Sequence, residues 1–301
     1  MRQADLLSEY LPVSAPTLEN GASKKASRYV GEFVLDASLL DGLKDYFSQK
    51  SALPLITGQL PPKAMPGLIV DNVLSAPLCR ALLNQIPDKA WVPVGGDGIQ
   101  AHYRAGDPVG SWRASCFSTA LAQALWGRIC PLLAPVMDFS CTPTAPTDGH
   151  ALWRPLGLNP LMRFIRYQAG GLLVPHYDGP FIWDQNKRTL MSVVIYLDDA
   201  SQEITCLEGQ GKDDSAVELD ADTGKTRFLW DALESAPASQ RDFSDWTRLS
   251  LPQEIRQQVQ PQVGRTIVFN HLLLHDSEPL RAACRKTVLR TDIAFEKVQE
   301  Q

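Results

Sequence analysis

The chain has 301 residues, of which 44% are hydrophobic and 21% are charged, and its formal net charge at pH 7 is -5. It is long enough to bury a core, and no apolar run approaches the roughly 20 residues needed to span a bilayer, so no membrane partner is expected. The absence of a basic surplus disfavours nucleic acid as a partner. Because the first residues lack a hydrophobic signal core and the six cysteines are scattered, we expect a cytoplasmic protein with reduced thiols.

The beginning of the chain carries no recognisable chemistry. Residues 1–60 mix polar stretches with short apolar pieces, and the apolar spacing at 38–47 predicts a short helix. We expect this N-terminal extension to be a cap or a partner-binding segment. A cluster of prolines then precedes the main domain, which is predicted to cover residues 61–301.

The first part of the main domain is predicted to alternate between strand and helix. Residues 67–74 form an apolar strand pattern that leads to Ser75, a plausible N-cap for a helix. Residues 91–111 are rich in Gly and Asp and predict a long loop. Residues 121–130 have the spacing of an amphipathic helix, so we expect a helical buttress over about 75–135.

From Leu161 the apolar pattern changes to that of strands. Residues 189–197 are nearly continuously apolar, as expected for a strand buried on both faces. Before it, His176 and Asp178 are two residues apart, so in a strand they project to the same side. An imidazole and a carboxylate aimed at one point can hold a divalent metal, and a site with open positions suits iron(II) that must also bind substrate and oxygen.

A third metal ligand has to come from a distant segment. The remaining histidines are His102, His150, His271 and His275. The last two lie in residues 264–276, an apolar run that predicts a buried strand leading into a loop. A His-x-Asp tripeptide alone is weak evidence, because such pairs are more often hydrogen-bonded structural pairs, and spacing alone does not choose between the two late histidines.

Five signatures occur along the chain in a fixed order. They are Met162–Gly171 followed by Pro175–Gly179, Val194–Asp198, Gly224–Phe228, Leu273–Pro279, and Lys286–Asp292. Together they resemble the core of the prolyl 4-hydroxylase-like iron(II)- and 2-oxoglutarate-dependent oxygenases, over roughly residues 67–296. The resemblance implies a mainly β fold with flanking helices, in which a double-stranded β-helix, a cupin-like jelly-roll of two antiparallel sheets, covers about 160–296.

The resemblance also implies the metal ligands. It selects His275 as the third ligand beside His176 and Asp178, and it leaves His271 as a packed histidine or one that supports the ligands. In related halogenases a small residue replaces the carboxylate and leaves room for chloride. The presence of Asp178 therefore argues against halogenation.

The resemblance further implies where 2-oxoglutarate would bind. Tyr167 is a candidate to hydrogen-bond the oxoacid near the iron, with a core tyrosine whose hydroxyl is satisfied as the alternative, and Tyr196 matches a position that contacts the distal carboxylate. A Lys or Arg of the last strand pairs with that carboxylate, since an unpaired buried carboxylate is very costly. Arg285 is ten residues after His275, the usual family spacing, whereas the downstream motif aligns on Lys286, eleven residues after. We favour Lys286, because the motif after it is intact.

The implied reaction is hydroxylation of an unactivated C–H bond, with iron(II), 2-oxoglutarate and O2 as cofactor and cosubstrates, ascorbate as a candidate reductant, and succinate and CO2 as co-products. The favoured substrate is a small molecule or a free amino acid, because no peptide-binding module is recognisable. Hydroxylation of prolyl or other residues in a protein or peptide is the second hypothesis. A non-catalytic sensor of oxygen, iron or 2-oxoglutarate is the third.

The substrate itself is not specified by the motifs. Arg163 is a candidate for binding an anionic substrate, with a structural salt bridge as the alternative, and Trp183 lies in a loop after the metal pair that could form the rim of the site. The acidic insertion at 201–224 predicts a solvated loop, with a lid or an oligomer contact as alternatives. The oligomeric state is left open.

Overall fold

The chain forms two antiparallel sheets buttressed by helices. The computed structural model describes residues 33–36, 39, 54–60, 67–94, 110–133, 152–199, 223–231, 249–281 and 284–298. The strands in these ranges are β1 (Leu55–Leu60), β2 (Gly67–Asp71), β3 (Val92–Val94), β4 (Ser111–Phe117), β5 (Trp153–Leu158), β6 (Leu161–Tyr167), β7 (Leu173–His176), β8 (Lys187–Tyr196), β9 (Thr226–Leu229), β10 (Ile255–Val259), β11 (Thr266–Asn270), β12 (His275–Ser277) and β13 (Lys286–Lys297). The α-helices there are α1 (Ala76–Asn84) and α2 (Thr119–Leu133).

The strand order is that of a jelly-roll. The larger sheet has the order β1-β2-β11-β8-β13-β6-β4-β3, with β5 also paired to β13, and the smaller sheet has the order β10-β9-β12-β7. From β6 onward, successive strands alternate between the two sheets, except that β9 and β10 are consecutive and pair within the smaller one. This is the winding of a double-stranded β-helix, so the predicted fold class is confirmed.

Most predicted elements coincide with observed ones. The helix after Ser75 is α1, the helix predicted at 121–130 lies within α2, and the buried strand predicted at 189–197 is β8. The prediction of a long loop at 91–111 is partly wrong, because Val92–Val94 forms β3 and pairs with β4. A strand of three residues has too little periodicity to be recognised, and its neighbour supplies the hydrogen bonds that define it.

The predicted N-terminal extension contributes to the large sheet and the core where the structure describes it. The backbone N–H of Phe33 donates to the carbonyl of Ser115 at 2.9 Å, and its ring centroid lies 5.5 Å from that of Phe164. Strand β1 pairs with β2 and so extends the sheet. The helix predicted at 38–47, apart from Leu39, and residues 201–222 of the acidic insertion lie outside the described residues.

Alternation along the strands divides the interior into two apolar clusters. On β6, Phe164 faces a cluster shared with α1 and α2, whereas Ile165 faces a cluster between the sheets that includes Phe228 and Phe269. Helix α2 presents Leu125 to the first cluster. None of the described helices has the length and apolar character required to cross a membrane.

The register of the large sheet orders the side chains of its inner face into rows. The partners across β4, β6, β13 and β8 are Ser111–Tyr167–Lys286, Arg113–Ile165–Val288–Tyr196, and Ser115–Arg163–Arg290–Val194. The two charged positions on β13 are four residues apart, a rise of about 13 Å along the strand. The inner face therefore carries a lysine near one end of the inter-sheet space and an arginine further along it.

Candidate active site

His176, Asp178 and His275 meet where β7 and β12 lie side by side. The two histidines are register partners, and their ring centroids are 4.2 Å apart. Asp178 follows β7 directly, with Oδ1 at 3.7 Å from His176 Nε2 and Oδ2 at 3.8 Å from His275 Nε2. One ligand atom from each residue lies within 4.8 Å of the other two. The structure thus brings together the three residues predicted to bind the metal.

Backbone carbonyls fix the tautomers of both imidazoles. His176 Nδ1 lies 2.8 Å from the carbonyl oxygen of Val174, and His275 Nδ1 lies 2.9 Å from that of Leu273. A carbonyl only accepts, so Nδ1 carries the hydrogen and the Nε2 lone pair faces the centre of the triad. Burial lowers the pKa of His176 to about 4, with a contribution from His275, and burial lowers the pKa of His275 as well. Both rings are neutral at pH 7, the form that binds metal.

The carboxylate of Asp178 is held on both sides. Arg290 Nη2 lies 2.8 Å from Oδ1, and the hydroxyl of Ser192 donates to Oδ2. The backbone N–H of Asp178 donates to the carbonyl of His271 at 3.1 Å. Burial raises the pKa of this carboxyl, but Arg290 and the imidazoles outweigh burial and hold the pKa well below its usual range. The side chain is therefore an oriented anion.

The donor set fits a divalent iron ion. Two imidazole nitrogens and one carboxylate are the ligands of non-haem iron(II) sites that keep coordination positions open. His176, Asp178 and His275 line a cavity of about 160 Å³ between the sheets. The remaining coordination positions can therefore face the cavity.

A buried lysine lines the same cavity at another point. Lys286 is 1% exposed, and its Nζ donates to the carbonyl of Gly224 and to the hydroxyl of Ser277, both at 2.6 Å. The ammonium also lies 4.5 Å from the ring centroid of Tyr167. No carboxylate in the described part of the chain lies within ion-pair distance of Lys286, and burial lowers its pKa to about 7. A lysine so placed suits a bound anion.

The other predicted 2-oxoglutarate residues occupy different positions. Tyr167 lines the cavity and its hydroxyl is hydrogen-bonded to that of Ser277. Tyr196 is fully buried and is not a lining residue, and its hydroxyl donates at 2.7 Å to Thr226 Oγ1, which does line the cavity. Arg285 precedes β13, is half-buried, and is not a lining residue.

The two predicted substrate residues lie away from the cavity lining. Arg163 Nη1 donates to Asp292 Oδ2 at 3.1 Å, which matches the salt-bridge alternative. Trp183 packs against Phe181, with ring centroids 4.6 Å apart. His271, the other late histidine, is buried with Nε2 at 3.4 Å from Asp292 Oδ1 and is not part of the triad.

Several polar residues at the site received no role from the sequence. They include Arg113, Ser192, Thr226, Ser277 and Arg290. The sequence did contain a signal for Arg290, since it lies four residues after Lys286 in one strand and so projects to the same face. Thr226 and Ser277 both lie within the recognised signatures. Arg113 had no such signal, because its strand follows a segment interpreted as a long loop.

Comparisons with known proteins returned solved structures alone. No protein-family model matches the sequence, and no curated protein matches it. Matching structures include a viral collagen prolyl hydroxylase from Paramecium bursaria Chlorella virus-1 in complex with 2-oxoglutarate, with 14% identity and a TM-score of 0.40 over 78% of this chain and 96% of that one.

Two further matches bind different kinds of molecule. A Trichoplax adhaerens prolyl hydroxylase in complex with a hypoxia inducible factor peptide fragment is 13% identical, with a TM-score of 0.43 over 86% of this chain and 94% of that one. HygX from Streptomyces hygroscopicus with nickel, 2-oxoglutarate and hygromycin B is 12% identical, with a TM-score of 0.38 over 77% and 83%. These proteins are of the class that the sequence signatures resemble.

Proposed function

We propose that this protein is an iron(II)- and 2-oxoglutarate-dependent dioxygenase that hydroxylates an unactivated C–H bond. One observation carries the proposal. The Nε2 atoms of His176 and His275 and the carboxylate of Asp178 converge on a cavity that also contains the ammonium of Lys286, which has no anionic partner among the described residues. A metal site and a binding site for a carboxylate are thus combined in one small space.

Each group has a distinct role in this proposal. His176, Asp178 and His275 hold the metal, and Lys286 pairs with the distal carboxylate of 2-oxoglutarate, aided by the hydroxyls of Thr226 and Tyr167. When bound, iron(II) with O2 and 2-oxoglutarate supplies the oxidation: the oxoacid becomes succinate and CO2, and a substrate C–H becomes C–OH. No general base is required of the protein.

The protein's own contribution is orientation and exclusion of water. The Nδ1 hydrogen bonds fix both imidazole planes, and Arg290 and Ser192 hold the Asp178 carboxylate in place. Apolar side chains form much of the remaining wall, namely Ile165, Leu173, Val194, Phe269 and Val288. Such a wall keeps bulk water from the reacting groups and strengthens the electrostatic contacts within the cavity.

We further propose that the substrate is a small molecule or a free amino acid. The support is the signature set, which specifies the cosubstrate and no peptide-binding module. Hydroxylation of a protein or peptide residue is the alternative. To distinguish these two functions, the enzyme is incubated with free amino acids and, separately, with proline-rich peptides. The substrate is the compound whose mass increases by one oxygen atom.

The oxygenase proposal is tested by the visible charge-transfer band that forms when iron(II) chelates 2-oxoglutarate without oxygen. We expect the band in the wild-type protein and its loss in His176→Ala, Asp178→Ala and His275→Ala. His271→Gln is the matched control, since it alters a buried histidine outside the triad and should retain the band. A band that survives in His275→Ala but disappears in His271→Gln would contradict the ligand assignment.

A non-catalytic sensor would form the same complex, so turnover has to be measured separately. We expect the wild-type protein to convert 2-oxoglutarate slowly to succinate under air without a substrate. Asp178→Ala should not do so above the rate of free iron(II). Formation of the band without any succinate, in the presence of ascorbate, would favour the sensor.

A further inference from the structure

Arg113 is a cation of the cavity wall that has no protein partner in the part of the chain that the structure describes. It lies on β4, opposite Ile165 in register, and lines the same cavity as the triad. Its Nε is buried and makes no hydrogen bond, and among the residues that the structure describes its guanidinium has neither a hydrogen bond nor an ion pair. An arginine presents five donors, and because Arg113 is half-buried and lines the cavity, its guanidinium can bind an acceptor that enters the cavity.

The other arginines that the structure describes near the cavity are paired with carboxylates. Arg290 contacts Asp178 at 2.8 Å and Asp292 at 3.3 Å, and Arg163 contacts the second oxygen of Asp292 at 3.1 Å. Arg227 forms a two-point ion pair with Asp276, at 2.8 and 2.7 Å. These carboxylates are therefore paired with other arginines and not with Arg113.

The surroundings of Arg113 make its positive charge unfavourable unless an anion binds next to it. Burial lowers its pKa to about 10, and the positive charges of Arg163 and Arg290 act in the same direction. The group still carries its charge at pH 7. In the register of the large sheet, the row of Arg113 lies between the row of Lys286 and the row of Arg290, which contacts Asp178. Arg113 therefore lies between the proposed cosubstrate end and the metal end of the cavity.

We propose that Arg113 binds a carboxylate of the substrate, so that the substrate class is organic acids, including free amino acids. This inference rests on the proposed oxygenase function. A guanidinium binds a carboxylate through two parallel hydrogen bonds, which fixes the orientation of the substrate as well as its position. Among the described lining residues, the other cations are Arg290, which is paired with protein carboxylates, and Lys286, which is assigned to 2-oxoglutarate. The one unpaired positive charge left there, that of Arg113, matches one substrate carboxylate.

The proposal is tested by binding rather than by turnover. Under anaerobic conditions, the protein loaded with iron(II) and saturating 2-oxoglutarate is titrated with acids and with their neutral primary amides. Suitable pairs are proline and prolinamide, 3-phenylpropanoate and its amide, and hexanoate and hexanamide. Binding next to the metal is followed as a shift of the charge-transfer band, whereas loss of the band reports displacement of 2-oxoglutarate.

The expected result is a preference for acid over amide of about tenfold or more for at least one pair in the wild type, because a charge-assisted hydrogen bond is lost with the amide. Arg113→Gln should reduce the ratio to about one. Arg113→Lys keeps the charge but loses the two-point contact, so its ratio should lie between the two. Arg154→Gln is the control: it removes an exposed arginine that is paired with Glu296 at 2.9 Å, and it should keep the wild-type ratio.

The following outcomes would contradict either the inference about Arg113 or the oxygenase proposal on which it rests. The inference is overturned if no acid shifts the band at millimolar concentration, or if Arg113→Gln or Arg113→Lys retains the wild-type ratio. It is also overturned if Arg113→Gln weakens 2-oxoglutarate binding as much as Lys286→Met does, since Arg113 would then be a cosubstrate anchor. Failure of the wild-type protein to form any band would overturn the oxygenase proposal itself.

Discussion

Arg290 Nη2 lies 2.8 Å from Asp178 Oδ1, so the carboxylate proposed to hold iron is already half of a buried ion pair. The pair continues through Asp292, which contacts both Arg290 and Arg163. Acidic and basic groups thus alternate across the inner face of the large sheet. This arrangement stabilises the Asp178 anion before any metal binds, and it places a positive charge close to the metal position.

Replacing Arg290 should show how far the arginine and the metal ion each stabilise the Asp178 anion. In Arg290→Met the buried Asp178 anion loses its partner, and we expect the metal-free protein to lose about 3–5 kcal/mol of unfolding free energy. A divalent ion then replaces the missing positive charge, so the rise in Tm on adding Ni²⁺ should be larger in the variant than in the wild type. Differential scanning calorimetry with and without Ni²⁺ measures both effects.

The control for this comparison is Arg154→Met, which removes an exposed ion pair with Glu296 and should change the unfolding free energy by less than about 1 kcal/mol. A metal-induced rise in Tm that is equal in Arg290→Met and the wild type would show that Arg290 and the metal act independently on Asp178.

Substitution of the adjacent residues Lys286 and Arg285 tests which of them binds the distal carboxylate of 2-oxoglutarate. Lys286 lines the cavity without an anionic partner among the described residues, whereas Arg285 lies outside the lining. Because a charged hydrogen bond contributes about 1.5–3 kcal/mol, Lys286→Met should raise the Kd for 2-oxoglutarate about ten- to a hundredfold. Arg285→Met should change it far less. Anaerobic titration of the charge-transfer band gives both constants, and the reverse ranking would reject the alignment of the last strand.

The affinity for 2-oxoglutarate should depend on pH through Lys286. Burial lowers the pKa of this lysine to about 7 without the cosubstrate, and a bound carboxylate favours its protonated form. Binding therefore takes up a proton above pH 7, and the affinity should fall by up to about tenfold per pH unit above that value. Titrations at pH 6.5, 7.5 and 8.5 measure the slope. Lys286→Arg keeps its charge throughout, so a slope as steep as that of the wild type would assign the effect to another group.

The same lysine should give a stability signature in the protein without 2-oxoglutarate. An unfolded lysine has its ordinary pKa near 10.5, so between pH 7 and 10.5 the unfolded state binds more protons than the folded state. The contribution of Lys286 to unfolding free energy therefore increases with pH across this window and is least favourable below pH 7. Urea unfolding of the wild type and Lys286→Met should show a difference that changes with pH, and parallel curves would contradict the burial effect.

The sequence predicted the parts of this protein that depend on local pattern. The alternation of His176 and Asp178 and the continuous apolar run of β8 each follow from the side-chain period of a strand. The choice of His275 over His271 required the family resemblance, because both lie in one segment. In the structure, pairing of β12 with β7 brings His275 opposite His176, whereas His271 lies against Asp292.

Partners that depend on long-range register were not predictable in this way. Arg290 meets Asp178 across more than a hundred residues of sequence, and Arg113 reaches the cavity only because β4 pairs with β6. Tyr196 illustrates the same point, since it does not line the cavity itself but donates a hydrogen bond to Thr226, which does. Periodicity gives the face of a strand, but the identity of the residue opposite depends on how the two sheets are assembled.

Gly224 should be important for the cosubstrate site although it has no side chain. Its carbonyl accepts the 2.6 Å hydrogen bond from Lys286, its φ is +70°, and an added Cβ would lie 2.5 Å from Leu280 Cδ2. In Gly224→Ala we expect a loss of about 1–2 kcal/mol of stability from the left-handed conformation. The Kd for 2-oxoglutarate should also rise, because the carbonyl that orients the ammonium has to move.

The matched control for Gly224→Ala is Gly127→Ala, since a Cβ there meets no atom within 4 Å and the position is helical. This variant should gain up to about 1 kcal/mol of stability, because alanine is the better helix former, and it should bind 2-oxoglutarate like the wild type. Urea unfolding and anaerobic titration distinguish the two variants. If Gly224→Ala lost stability but kept the wild-type affinity, the Lys286 ammonium would not depend on this carbonyl, and its orientation would have to come from Ser277 and from the ring of Tyr167.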